Sequence, residues 1–155
     1  MPTIPTIRIL PMSDKLEGFV GLTIVQVQKR CFLRDLHARR GRFRYRSAGL
    51  NAPAGSVILF QFKSRIIASA VFLRDERFAR PIGGCRGQLH LDGRSVRTFD
   101  PLDIEAMRKV WPGMRPFGHV KQFLNPTSYP AFKRRLKNVA SPRAAGRTRG
   151  PRQPR

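Results

Sequence analysis

Val57-Ile58-Leu59-Phe60-Gln61-Phe62, then Lys63-Ser64-Arg65, then Ile66-Ile67-Ala68-Ser69-Ala70-Val71-Phe72-Leu73 is the stretch whose reading decides the fold. Both outer runs are apolar and rich in β-branched and aromatic residues, the types that fit a pleated and covered surface. The basic residues between them leave room for a tight turn and nothing longer, and Ala54-Gly55 supplies another turn ahead of the first run. The unit reads as a buried hairpin.

Working outward, residues 3–10 alternate in part and form a candidate strand, which Pro2, Pro5 and Pro11 restrict to an edge or an extended arm. Residues 20–27 carry Leu22, Ile24, Val25 and Val27 in a mostly alternating pattern and read as a second strand. Cys31, Phe32 and Leu36 then follow at helical spacing, so a helix is expected over residues 29–39, stopping at Gly41. Phe43 and Tyr45 alternate with Arg42, Arg44 and Arg46, the pattern of an edge strand with arginines on one face. Pro81-Ile82-Gly83-Gly84 reads as a loop. Gln88-Leu89-His90-Leu91 and Ser95-Val96-Arg97-Thr98-Phe99 flank Asp92-Gly93-Arg94 and read as a second hairpin. Asp100 is the expected N-cap of a short helix with Pro101 in its first turn, Leu102, Met107 and Val110 or Trp111 on its apolar face, and Pro112-Gly113 as its stop. Asn125-Pro126-Thr127 opens a last helix that buries Tyr129, Phe132 and Leu136 and leaves Lys133, Arg134, Arg135 and Lys137 exposed. Residues 141–155 hold five arginines and no acid and cannot bury a core. The expected organisation is one domain over residues 1–140, the first fifty poorly assigned, and a disordered basic tail over 141–155.

The hairpin resembles the central hairpin of the PUA-like superfamily, which includes EVE, ASCH, YTH and SRA-type domains. The resemblance extends from about residue 54 to about residue 136. It takes in Phe99-Asp100-Pro101, residues 104–112 ending in Trp111-Pro112, Phe117-Gly118-His119-Val120-Lys121-Gln122, Asn125-Pro126 and Tyr129-Pro130-Ala131-Phe132. It is closest to the PUA-like domains found beside HNH nucleases in bacterial restriction-type proteins. The implied fold is α+β: a compact mixed, mostly antiparallel β-barrel of five or six strands with short flanking helices. PUA-like readers hold one extruded base in a cleft between aromatic and amide-bearing side chains, so the resemblance implies a base pocket from Phe60, Gln61, Trp111 and Gln122. Gln61 points opposite to its neighbours, so at most one face of Phe60-Gln61-Phe62 lines that cleft. The competing use of Phe60, Phe62, Phe72 and Trp111 is as core. His119-Val120-Lys121-Gln122 is either a ligand-contacting segment or a solvated connector.

Charge narrows the partner. The 155 residues carry 31 Lys+Arg against 9 Asp+Glu, a formal net charge of +22. That self-repulsion costs stability and favours a polyanion, unless it reflects only an Arg-enriching genome. The candidate phosphate contacts are Arg39, Arg40, Arg42, Arg44 and Arg46, then Arg134 and Arg135. Two cysteines, Cys31 and Cys85, make no disulfide framework, and no leader pattern and no run near the ~20 apolar residues of a membrane span is seen. The expected setting is cytoplasmic with free thiols and no membrane.

Catalysis finds little support. Asp103, Glu105 and Lys109 fall on an expected helix, Cys31 lacks a His/Asn partner, and Cys31, His37, Cys85 and His90 match no common zinc spacing. No phosphate-binding glycine loop is present, and the HNH cluster is absent. No cofactor, metal or catalytic residue is assigned. The expected function is non-catalytic reading of a modified or extruded base in DNA or RNA, with any nuclease encoded separately. The alternatives are an RNA-associated structural or assembly protein that binds phosphates non-specifically, and a nucleic-acid-processing enzyme centred on Asp103, Glu105 or Cys31.

Overall fold

A computed structural model describes residues 4–13, 19–46, 49–118 and 122–142. Six strands, β1 (Ile7–Pro11), β2 (Arg42–Tyr45), β3 (Val57–Phe62), β4 (Arg65–Ile82), β5 (Cys85–Leu102) and β6 (Gln122–Leu124), form one sheet in the order β2-β5-β4-β3-β1-β6. Every neighbouring pair is antiparallel except β1 with β3. Helix α1 (Ile24–Val27) runs through a π-helical stretch, Gln28–Asp35, into α2 (Leu36–Ala38). Helix α3 (Ile104–Arg108), a 3-10 turn (Pro126–Ser128) and α4 (Tyr129–Arg135) complete the elements among the described residues. This is the α+β, mostly antiparallel architecture with short helices that the sequence implies.

The hairpin forms as expected, β3 pairing with β4 from Val57 opposite Val71 to Phe62 opposite Arg65. Lys63 and Ser64 make the turn with φ of 52° and 59°, the left-handed backbone that a two-residue hairpin turn requires. All of β3 is buried because both faces of the sheet are covered. By alternation, Ile58, Phe60 and Phe62 join Val27, Phe32 and Leu36 in one cluster. Val57 and Leu59 join Ile7, Ile9, Phe99, Met107, Trp111 and Phe132 in the other. Each such side chain stabilises the fold by about 1.5–3 kcal/mol relative to exposure. Gln28, buried in the π-helical stretch, donates through Nε2 to the carbonyls of Ile67 (3.0 Å) and Phe99 (2.7 Å) and so ties that helix to the sheet.

Four local expectations are corrected. Residues 20–27 are no strand: residues 19–21 turn, and α1 starts after Thr23. Thr23 Oγ1 accepts from the Gln26 amide (3.2 Å) while Gln26 Oε1 accepts from the Thr23 amide (2.9 Å), a capping box that outweighs the chance alternation. β1 lies inside the sheet between β3 and β6, because Pro5 precedes the paired stretch and Pro11 only ends it. Asp92-Gly93-Arg94 is no hairpin turn but an irregularity within β5, which pairs Asp92 with Val71 and Arg97 with Ser69. There Asp92 Oδ1 accepts from the Arg94 amide (3.0 Å) and Ser95 Oγ accepts from the Val71 amide (2.7 Å), restoring a ladder bond. The N-cap of α3 is Asp103, whose Oδ1 accepts from the Ala106 amide (2.8 Å). Asp100 stays in β5 and accepts from the Asn138 side-chain amide at 3.1 and 3.0 Å.

Candidate nucleic-acid interface

Beyond Phe72, β4 leaves the core while Leu89 of its partner β5 stays in the first cluster, and the ladder, with β2 along its edge, runs out into an arm that turns at Gly83-Gly84. Cross-strand register sorts its side chains by face. Phe43, Leu89 and Asp75 lie opposite one another in one row and Tyr45, Gly87 and Arg77 in the next, on the face that packs Phe43 and Tyr45 against the α1 cluster. Tyr45 Oη donates to Asp75 Oδ1 (2.7 Å), and the Leu50 amide donates to Asp75 Oδ2 (3.2 Å). Burial, then the bond to Asp75, pushes the Tyr45 hydroxyl up to about 12, so it remains a donor.

The other face carries the charge. Arg42, His90 and Arg74 form one row, and Arg44, Gln88 and Glu76 the next. The Arg44 guanidinium sits 5.8 Å from the Phe78 ring centroid, which places Phe78 on this face. Glu76 is the acid of these rows. Its Oε1 accepts from Gln88 Nε2 (2.9 Å) and lies 2.7 Å from His90 Nε2, and these bonds hold the carboxyl below its usual range. The arm is pinned at its base by Gly41. At φ 84° it ends α2, its carbonyl accepts from the Leu91 amide (2.8 Å), and a Cβ there would strike the Leu91 carbonyl oxygen.

Arg39, Arg40, Arg42, Arg44 and Arg46 are all exposed at this edge, and Arg42 Nε donates to the Arg39 carbonyl (2.9 Å). Arg134 and Arg135 are exposed in the last turn of α4, a helix that packs by Phe132 into the second cluster. The structure adds Arg74, Arg77, Arg80, Arg86 and Phe78, which sequence reasoning missed. Their signal was the spacing of arginines at 74, 77 and 80 directly after a strand, with no turn residue until Pro81.

The four pocket candidates separate. Phe60 is fully enclosed, its ring 4.8 Å from that of Phe32 and 5.2 Å from that of Phe43, and it offers no surface to a base. Trp111 packs on Phe132 (5.4 Å) and donates Nε1–H to the Asn125 carbonyl (2.9 Å). Gln61 and Gln122 converge on residues 115–118. Gln122 brackets that segment, accepting from the Arg115 amide (3.2 Å) and donating to the carbonyls of Arg115 (3.1 Å) and Pro116 (3.3 Å). Gln61, at an irregularity in β3 and 8% exposed, donates to the Gly118 carbonyl (3.1 Å), while its Oε1 is buried without a hydrogen-bond partner among the described residues. Residues 119–121 and the tail beyond 142 lie outside the described residues.

The chemical alternatives gain no geometry. Burial, then Asp35, pushes the Cys31 thiol up to about 12, against a smaller lowering by Arg39, so it is not a thiolate at neutral pH. Asp103 is spent as a helix cap. Among the described residues no group of three His, Cys, Asp or Glu side chains is placed to hold a metal ion, and no helix is long and apolar enough to cross a membrane.

No protein-family model and no curated protein matches the sequence. In fold the chain is similar to the crystal structure of ASCH from Zymomonas mobilis, with a TM-score of 0.50 and 8% identity over 84% of this chain and 96% of that one. A Tyr-to-Phe variant of that protein matches with a TM-score of 0.51 and 7% identity, over 84% and 99% of the two chains. A Ser-to-Ala variant matches with a TM-score of 0.51 and 7% identity, over 88% and 100%. The common property at such identities is the fold alone.

Proposed function

We propose that this chain binds DNA or RNA without acting on it chemically, holding phosphates on the arginine face of the arm and reading one extruded or modified base beside Gln61. The observation that carries the reading is the arm itself. Among the described residues of the arm, Arg42, Arg44, Arg74, Arg77, Arg80 and Arg86 lie around two acids, Asp75 and Glu76, each already satisfied by neutral or histidine donors. So many guanidiniums on the two faces of one arm repel one another unless a polyanion lies against them. Gln61 supports the finer part: leaving a buried acceptor unsatisfied costs ~1–3 kcal/mol, which a base amino group placed against Oε1 would return. Gln122 then acts as the strut of the covering segment. A cytoplasmic setting with free Cys31 and Cys85, and a separately encoded nuclease as partner, belong to the same proposal.

The test is fluorescence anisotropy with matched single- and double-stranded DNA and RNA, unmodified or carrying modified cytosines, at near-physiological and raised salt. A tenfold preference for one modified base, about 1.4 kcal/mol, that survives added salt and is lost in Gln61→Ala supports the reader. Equal affinities that collapse together with salt leave a backbone-binding protein of the ribonucleoprotein-assembly kind. No binding at all removes the proposal.

A further inference from the structure

The end of the arm holds a cavity whose apolar part, Phe78 and Pro81, phosphate binding does not use. Arg77, Phe78, Pro81 and Arg86 line this cavity of about 220 Å³. Arg44 reaches this end from β2, its guanidinium over the Phe78 ring at 5.8 Å. Arg46 reaches it too, since a Cβ on Gly84 would lie 2.7 Å from Arg46 Nη1. Gly84 has φ 80°, and the turn it makes leaves room for that side chain. No carboxylate lines the cavity, and among the described residues Arg77, Arg86 and Arg44 form no ion pair.

We propose that the arm-tip cavity takes one unpaired base of a single-stranded nucleic acid, stacked on Phe78 and flanked by Pro81, with Arg77, Arg86 and Arg44 on the adjoining phosphates. The volume is below the roughly 300–1,000 Å³ of sites that enclose drug-sized ligands. It admits one planar ring system, which leaves the sugar-phosphate outside on the guanidiniums. Phe78 is partly exposed and Pro81 exposed, which gives the base an apolar floor and wall. A duplex cannot supply such a base without flipping it out, whereas a strand, an overhang or a loop presents it directly. Stacking on an aromatic ring is tolerant of base identity, so the tip selects single-strandedness rather than sequence. This rests on the nucleic-acid reading above, but uses other residues than the base reading proposed beside Gln61.

The experiment uses the full chain with a 12-nucleotide single strand, in ribo and deoxyribo forms, and the blunt duplexes of the same sequences. Phe78→Ala is expected to weaken single-strand binding by about 5- to 150-fold and leave duplex binding within about twofold. Phe78→Tyr, which keeps the ring, is expected to retain wild-type single-strand affinity. A second readout needs no variant: 2-aminopurine in the strand should be quenched when wild-type protein binds, through stacking. Equal effects of Phe78→Ala on strand and duplex, no effect on either, or no quenching at any strand position would overturn the arm-tip site while leaving phosphate binding intact. Failure of the wild type to bind any of the four ligands would instead remove the functional reading itself. Arms that differ between the ribo and deoxyribo strands assign the natural ligand.

Discussion

The inner and outer halves of β4 share one hydrogen-bonded ladder with β5 and differ in nearly everything else. Residues 66–70 are buried, with Ile66 in one hydrophobic cluster and Ile67, Ala68 and Ala70 in the other. From Leu73 on, the same strand is mostly exposed: Leu73 is 47% and Ile82 49% accessible, and Arg74, Arg77 and Arg80 carry no apolar face. The inner half is held by burial from both sides, the outer half by backbone pairing with β5 and one buttress, Asp75. A sheet arranged this way separates its two tasks along the strand rather than across it. Substitutions inside should therefore change stability, and substitutions outside should change binding.

The widest break between the halves is expected from a pair of phenylalanines. Phe60→Ala removes a ring enclosed by Phe32 and Phe43 and should cost about 3–5 kcal/mol of unfolding free energy in a urea titration. Phe78→Ala, in the arm, should move the same midpoint by no more than about 0.5 kcal/mol. A large stability loss from Phe78→Ala would mean that the arm folds as part of the core, and the separation would fail.

Asp75 tests the boundary. It sits where the arm leaves the core and satisfies both Tyr45 Oη and the Leu50 amide. Asp75→Ala strands the Tyr45 hydroxyl and should destabilise by about 1–3 kcal/mol. Hydrogen exchange should show the loss concentrated in β2 and the outer ladder, with β3 still protected. Uniform loss of protection would show that core and arm open together.

The arginines come next, and their effect on stability is expected to be close to nothing. Arg42→Gln with Arg74→Gln, the two cations flanking His90, should leave the unfolding midpoint within about 0.5 kcal/mol, or raise it by relieving repulsion. In nucleic-acid titrations the same double variant should lower the slope of log affinity against log salt by about 1–2. An unchanged slope would place the phosphates elsewhere, and Arg134 and Arg135 on α4 are the next cations to remove.

This contrast also explains what could be read from the sequence. The β3–β4 hairpin was legible because a continuous run of β-branched and aromatic residues followed at once by another has few alternatives to a buried pair. Residues 74–82 were not, since a strand with no buried face has no hydrophobic period and its arginines look like loop. The helix over residues 24–38 was half seen: Ile24, Val25 and Val27 suit either period, and the deciding capping box needs Thr23 and Gln26 to be read together. In the candidate site Gln61 and Gln122 stood out in the sequence by their amides, and the two do bond one segment, residues 115–118. Phe60 was legible as either core or pocket, and the rings that decide for core, Phe32 and Phe43, come from a helix and an edge strand remote in sequence.

The smallest expected effect is at Glu76, and it joins the two halves of the comparison. Hydrogen bonds from Gln88, then His90, hold its carboxyl below the ordinary value of 4.5 in the folded chain. The ionised form therefore favours the fold above that value, and the contribution is lost as the pH falls through the lower folded value. Wild-type stability should fall slightly more steeply than that of Glu76→Gln between about pH 5 and the acid limit of the fold. The side chain is exposed and screened, so the difference should be small and should shrink further with salt. Binding should move the opposite way, since protonating Glu76 removes a negative charge from between Arg44 and Arg74. Wild-type affinity should rise through the same window while that of Glu76→Gln stays flat. Parallel curves for the two proteins would mean that the carboxylate lies outside the field felt by the bound strand, and would move the phosphate path off this face of the arm.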